Sequence, residues 1–491
     1  MKNVIKYIFG PVFLLSTVIS GCEGPLEEEV FSQLAPANFL NTKQGLESVL
    51  AAAYAEQALN GWQGKSVLNL ESWCTDEEWE TSGGENRTAV LMIGFTWDPT
   101  LGWAKDNMWD RKFRSIRNAN VLLENIEAVT GVDDALKAQL TAEARFVRAV
   151  NYHYLYGWYG PVPIRTESGG ELEVPRATEQ EMLSFIETEF TESIADLPEP
   201  ATAVYGRGNK GAARAFLTKF YLNTKQWQKA ADAARSVIDM NAYSLFPDYE
   251  KLFTVDNERN SEFIWVHQAV ITVPGNLYMN GAFPPNFGSD PVTGAVHTDG
   301  MRNWAAQYRL YDEFYDSFDP DDKRRRLILN EYIHKGNGST IQLSTTPDNR
   351  RSIKYVPDPN SAGNDQGNDI PEIRYADILL ARAEALNELN GPTQEAIDLI
   401  NEVRERTGLA DLVLADFDKN SLRDHLLNER RWEFFTERKR REDLIRHGKF
   451  ISSAISRGKP AQPYHVRFPI PQSEVDANSN MVQNEGYGGS N

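Results

Sequence analysis

The sequence predicts a mainly α protein, an array of about four tetratricopeptide-like helical pairs with long loop-rich insertions and little β structure. The clearest sign lies in residues 371–409. There Tyr375, Ile378, Leu379, Ala383, Leu386 and Leu389, then Ala396, Leu399, Ile400 and Val403, recur at the i, i+3, i+4, i+7 spacing of one helical face. Asn390-Gly391-Pro392 separates the two runs, because glycine tolerates a left-handed cap and proline cannot extend a helix; Thr393 is placed to cap the second helix. A similar hairpin at 209–238 sets Ala212, Ala213, Phe216, Leu217 and Phe220 on one face, followed by Trp227, Ala230, Ala231, Ala234 and Ile238. The small alanines let paired helices approach closely.

Taken in order, helical periodicity runs over 42–59, 107–129, 135–158 and 178–197, ahead of the two hairpins. Residues 60–105 are rich in Gly, Trp and acids, and residues 270–370 in Gly, Pro, Asn and Asp; neither composition supports a long helix. Insertions of that length in a compact protein are expected to carry function, so both are assigned to the ligand face. Ser261–Ala269 reads as a short strand bounded by turn residues. The Arg- and Glu-dense stretch 428–449 reads as one helix whose bases pair locally with Glu429, Glu433, Glu437, Glu442 and Asp443, a structural role and not a nucleic-acid face. Helical units thread the whole chain, so residues 22–491 are expected to form one elaborated domain.

The N-terminus has the form of a lipoprotein signal. Lys2 and Lys6 precede an apolar run from Tyr7 to Ile19, too short to span a bilayer, and small residues Ser20-Gly21 stand directly before Cys22. Cleavage of residues 1–21 would leave Cys22 to carry acyl chains, each buried CH₂ adding roughly 0.8 kcal/mol of membrane affinity. Glu27-Glu28-Glu29 then reads as a solvated tether. With Cys22 acylated, Cys74 has no cysteine to pair with, so stability rests on packing.

The whole chain carries 51 basic and 70 acidic side chains; losing Lys2 and Lys6 leaves 49 and a net charge of −21. That field disfavours nucleic acid and polyanions and favours a neutral ligand over a sulfated or uronic one.

Six of the 11 tryptophans fall between Trp62 and Trp109, including Trp73, Trp79, Trp97 and Trp103. An indole face can stack on a sugar ring, and covering about 60 Å² contributes on the order of 1.5 kcal/mol. Trp109, in step with Phe113 and Ile116, belongs to a core face. Gly206-Arg-Gly208-Asn-Lys-Gly211 matches a dinucleotide fingerprint, yet no apolar strand precedes it, so it is read as the turn before a helix. The seven histidines show no zinc spacing, and no cofactor is expected. Asp76-Glu77-Glu78, the acids at Asp319, Asp321 and Asp322, and Asn364 with Asp365 and Asp369 complete no calcium loop, and the acids are read as solvated.

Several stretches resemble the SusD/RagB family of nutrient-binding outer-membrane lipoproteins: AEARFVRAVNYHYLYGWYGPVPI (142–164), GRGNKGAARAFLTKFYL, IRYADILLARAEALNE, NERRWEFFTERKRREDLIRHGK and the terminal RFPIPQSEV with QNEGY. They occur in family order across nearly the whole chain. The resemblance implies a tetratricopeptide-like scaffold that binds a glycan at the cell surface and sits as a lid on a SusC-like TonB-dependent barrel. It also places ligand contacts after the Thr75-Asp76-Glu77 match and in the loop before a helix containing Leu310 and Phe314. Carried over, that nominates Trp79, Asn86, Arg87, Tyr278 and Trp304. Both loops depart from the family's starch-binding pattern, so starch specificity does not transfer. RagB-like relatives imply an oligopeptide ligand as the alternative. An all-helical glycosidase would need two carboxylates, such as Asp76 and Glu78, about 5 Å apart if retaining and about 6.5–9.5 Å if inverting.

Overall fold

The computed structural model describes residues 39–488 apart from 273 and 306. Cys22 and the signal segment lie outside the described residues. A succession of packed helices forms the frame: α1 (Lys43–Gln57), α2 (Gly61–Ser72), α3 (Asn86–Gly94), α4 (Arg111–Asn125), α5 (Asp134–Tyr159), α6 (Glu179–Asp196), α7 (Lys210–Asn223), α8 (Trp227–Ile238), α9 (Tyr375–Asn390), α10 (Gln394–Thr407), α11 (Lys419–Phe434) and α12 (Arg440–Arg446). The pairs α1/α4, α5/α6, α7/α8 and α9/α10 pack in sequence, with α4 on α5, α6 on α7 and α8 on α9 joining each pair to the next. The four helical pairs expected from periodicity are therefore present as one array.

Alanine makes that packing possible. Ala212, Ala213 and Ala215 on α7, Ala230, Ala231 and Ala234 on α8, and Ala376, Ala381, Ala383 and Ala385 on α9 are all buried. Enlarging Ala231 to leucine would force neighbouring helices apart, at about 1–3 kcal/mol. Side-chain caps fix the starts: Thr42, Asp133, Thr178, Asn209 and Thr393 each accept from a backbone N–H of the first turn. Gly391 ends α9 at φ +79°, a conformation glycine adopts without strain. Residues 206–211 form the turn leading into α7, as the fingerprint's context suggested.

Short antiparallel ribbons complete the frame. Strand β1 (Glu78–Glu80) pairs with β3 (Tyr308–Leu310), and β2 (Phe263–His267), the strand expected at 261–269, pairs with β4 (Ile370–Arg374). Further short strands lie between residues 287 and 352.

Four expectations need correction. Residues 60–105 are not mostly loop, since α2 and α3 fall inside them; α2 buries Val67, Leu68 and Leu70, and the interspersed Gly and Trp obscured its period. Residues 370–374 are strand, not the start of α9, because Ile370 and Ile373 pair with His267 and Trp265 of β2. Leu310 lies in β3, and only Phe314 lies in the short helix Asp312–Asp316. The stretch 428–449 is two helices, not one. It breaks after Phe434, with Thr436 and Arg438 at φ +59° and +61°.

The pairing partners explain the break. Arg438 binds Glu71 at 2.8 Å and Glu372, Arg440 binds Asp76, and Arg430 binds Asp377 at 2.7 Å and Asp443 at 2.9 Å. Most of these carboxylates come from other elements, so local i, i+4 pairing does not account for the segment. Around it, Arg374 reaches Glu262, Glu433 at 3.0 Å and Glu437 at 2.7 Å, and Arg324 reaches Asp322, Glu429 and Glu433, all buried. Such a network is specific in geometry because each ion lost from it strands its partner in a dry interior.

Candidate ligand-binding site

The most exposed large aromatic among the described residues is Trp62, 52% accessible in the first turn of α2. Its ring lies nearly parallel to that of Trp304, with centroids 5.2 Å apart and an 18° interplanar angle. Trp304 is half-buried and pinned by two other segments: its backbone N–H donates to the Asn280 carbonyl at 2.8 Å and its Nε1 to Asn364 Oδ1 at 3.2 Å. The pair presents an aromatic surface with adjacent amide groups, the arrangement that stacks a sugar ring and orients its hydroxyls.

Beneath the stack sits Lys65, one helical turn after Trp62. Its Nζ is 4.7 Å from the Trp62 centroid, 5.0 Å from Trp304 and 5.8 Å from Trp103, and it pairs with Glu85. Burial pushes the Lys65 ammonium down to about 7, with Glu80 pulling the other way. Glu85 also accepts from Tyr308 Oη at 2.6 Å and from Asn69 Nδ2 at 3.2 Å. It immediately precedes α3, whose first residues are Asn86, half-buried, and Arg87, exposed. The Lys65–Glu85 pair therefore joins the Trp62/Trp304 stack to the Asn86–Arg87 corner.

Trp79 belongs to a second aromatic pair. It lies half-buried in β1 opposite Arg309, parallel to Tyr311 at 6.3 Å, with the Arg309 guanidinium 5.4 Å from its ring centroid. Its Nε1 donates to the Asp348 carbonyl at 3.0 Å.

Tyr278 is not a surface contact. It is 4% exposed, wedged between Tyr308 and Tyr355 at 5.4 and 5.9 Å, and its hydroxyl donates to Glu78. Its position in a Gly- and Pro-rich stretch suggested exposure, but the short helix Tyr278–Ala282 folds inward and is buried throughout. Of the remaining loop tryptophans, Trp73 and Trp97 are core and Trp103 is half-buried against Trp73; Trp109 is core, as its helical spacing indicated. Trp62 and Lys65 were not singled out from sequence. The signal was present in Gly-Trp-Gln-Gly-Lys, an aromatic and a cation at i, i+3, hidden by two glycines that argue against a helix.

Of the acids read as solvated, Asp319 and Asp321 are exposed, but those near this site are not. Asp76 is gripped by Arg440 at 2.8 Å and Arg431 at 3.5 Å; against the upward push of burial, these cations hold its carboxyl well below the usual range. Burial pushes Glu77 up to about 8 and Glu78 up to about 7, the latter against its hydrogen bond from Tyr278. Burial likewise lifts Glu80 to about 7. Asp322 and Asp369 are also buried, bonded to Arg324 and Tyr205 respectively. Asp76 and Glu78 are thus committed to internal partners.

The comparisons agree with this architecture. The family model described as "SusD family" matches residues 328–487, and the one described as "Starch-binding associating with outer membrane" matches residues 26–222. A SusD-like protein of Formosa agariphila is 25% identical, the alignment covering 99% of both chains. The starch-binding protein SusD of Bacteroides thetaiotaomicron is 27% identical over 86% of this chain and 85% of its own. Among solved structures, a laminarin-binding SusD-like protein superposes with a TM-score of 0.75 at 24% identity, covering 91% of this chain and all of that one. A surface glycan-binding protein A from Bacteroides thetaiotaomicron in complex with laminarihexaose gives a TM-score of 0.75 at 21% identity, covering 90% and 99%. With the two family models falling on either half of the helical array and the relatives spanning nearly its whole length, the chain is similar to the SusD/RagB family throughout that array.

Proposed function

We propose that this protein is a cell-surface glycan-binding lipoprotein that captures oligo- or polysaccharide and delivers it to a SusC-like TonB-dependent barrel without cutting it. The observation that carries this reading is the Trp62/Trp304 stack, an aromatic surface left half open beside the Asn364 amide. Relatives named for starch, laminarin and surface-glycan binding support the ligand class. Binding without turnover is supported by the engagement of Asp76 and Glu78, since a hydrolase needs one carboxyl open to the leaving group and another open to water or the sugar. Anchoring rests on Cys22 through its acyl chains, with residues 22–491 as a single SusD-like domain facing the cell exterior.

The test is affinity electrophoresis and calorimetry of the protein lacking residues 1–22 against laminarin, starch and a sulfated glycan, with reducing-sugar release followed in parallel. Retardation by a neutral glycan with no release is expected. Release abolished by one carboxylate substitution would replace capture with catalysis, and binding of oligopeptides alone would move the protein to the RagB-like reading.

A further inference from the structure

The Trp62/Trp304 stack poses a physical problem. Trp62 is half exposed on a first helical turn, where an indole ordinarily samples several rotamers, and ordering it for a ligand is unfavourable in entropy. Among the described residues, the aromatic and cationic partners of its ring are Trp304 and Lys65. Lys65 is 2% exposed, an unusual position for a lysine, and a solvated lysine would serve equally well for solubility. Its Nζ stands almost equidistant from the two ring centroids, at 4.7 and 5.0 Å, and they stand 5.2 Å from each other. The ammonium is itself anchored by Glu85, whose other oxygen is fixed by Tyr308 and Asn69.

We propose that Lys65 is the positioning residue of the aromatic platform: anchored by Glu85, its ammonium holds Trp62 and Trp304 stacked in the geometry a sugar ring meets. This rests on the reading of the platform as the glycan site, and deepens it. Cation–π attraction to two indoles is compatible with a tightly desolvated site and directional enough to select one Trp62 rotamer. Since Lys65 is buried, it acts through the rings and need not touch the ligand. Arginine preserves the attraction; methionine preserves the length and removes it.

The experiment compares wild type, Lys65→Met, Lys65→Arg and the charge-neutral Lys65→Met/Glu85→Gln. It is run at about pH 6 so that the lysine is charged. Two readouts are used: the part of the indole exciton couplet in circular dichroism that Trp62→Phe removes, which separates this pair from Trp73/Trp103, and affinity for laminarihexaose and soluble starch. The expected result is loss of the couplet and an affinity reduced about tenfold in both methionine variants, with Lys65→Arg within about twofold of wild type. Should Lys65→Met fail to fold, the double variant decides. A couplet that survives in a folded methionine variant overturns the proposal, whatever happens to affinity. If wild type binds neither glycan, the site reading falls, while the couplet alone still decides whether Lys65 orders the rings.

Discussion

Asp76 and Arg440, 364 positions apart in sequence, form a two-pronged ion pair in which Nε and Nη2 of the guanidinium each donate to a carboxylate oxygen at 2.8 Å. Removing one partner leaves the other charge uncompensated in the interior, so Asp76→Asn and Arg440→Met are each expected to destabilise by about 3–5 kcal/mol in urea unfolding. The Asp76 carboxyl lies below its ordinary value, so its contribution is present above that value and lost on acidification. The gap between wild type and Asp76→Asn should therefore narrow as the pH falls below about 4.

Glu78 behaves in the opposite sense. Its carboxyl, raised by burial from an ordinary 4.5 to about 7, keeps its proton where the unfolded chain has given it up. Its contribution is full below the unfolded value and is lost as the pH rises through about 7. Glu78→Gln cannot ionise and still accepts from Tyr278. Melting curves should show little difference from wild type at about pH 4, and the variant more stable by about 1–3 kcal/mol at about pH 8.

Trp62 and Tyr278 separate ligand contact from core. Trp62→Ala should weaken laminarihexaose binding by roughly tenfold and leave the melting temperature nearly unchanged, because half the ring is already in water. Tyr278→Ala should lose about 3–5 kcal/mol of stability, since the ring is buried and Glu78 loses its donor. Calorimetric binding and thermal melts on the same two preparations check both.

Cys22→Ala is expected to abolish incorporation of a labelled fatty acid and to move the protein out of the membrane fraction. Retention of the label in that variant would place acylation elsewhere.

The helical array was legible because its information is local: alanines at helical spacing, Thr393 as a cap and Gly391 as a stop all act within a few residues. The site was legible in part. Trp304, Asn86 and Arg87 reach one region, but Trp62 and Lys65 lie on a helix whose glycines disguised it, and Tyr278 turned inward because its hydroxyl satisfies a buried carboxylate. The break at residues 435–439 left no local trace. No proline or glycine marks it, and the helix ends where Arg438 finds Glu71 and Glu372.

That last contact ties the start of the helical array to its end. Glu71 and Asp76 flank the turn after α2, near the beginning of the chain, and their counter-charges Arg438 and Arg440 emerge 367 and 364 residues later. Without those cations the early carboxylates are buried only at a cost, so the segment around them is expected to gain stability once the last helices dock. Contacts this distant in sequence slow closure. Truncation before Arg438 would therefore leave every helix of the four pairs in place yet strip the segment around α2 of the charges that let it close.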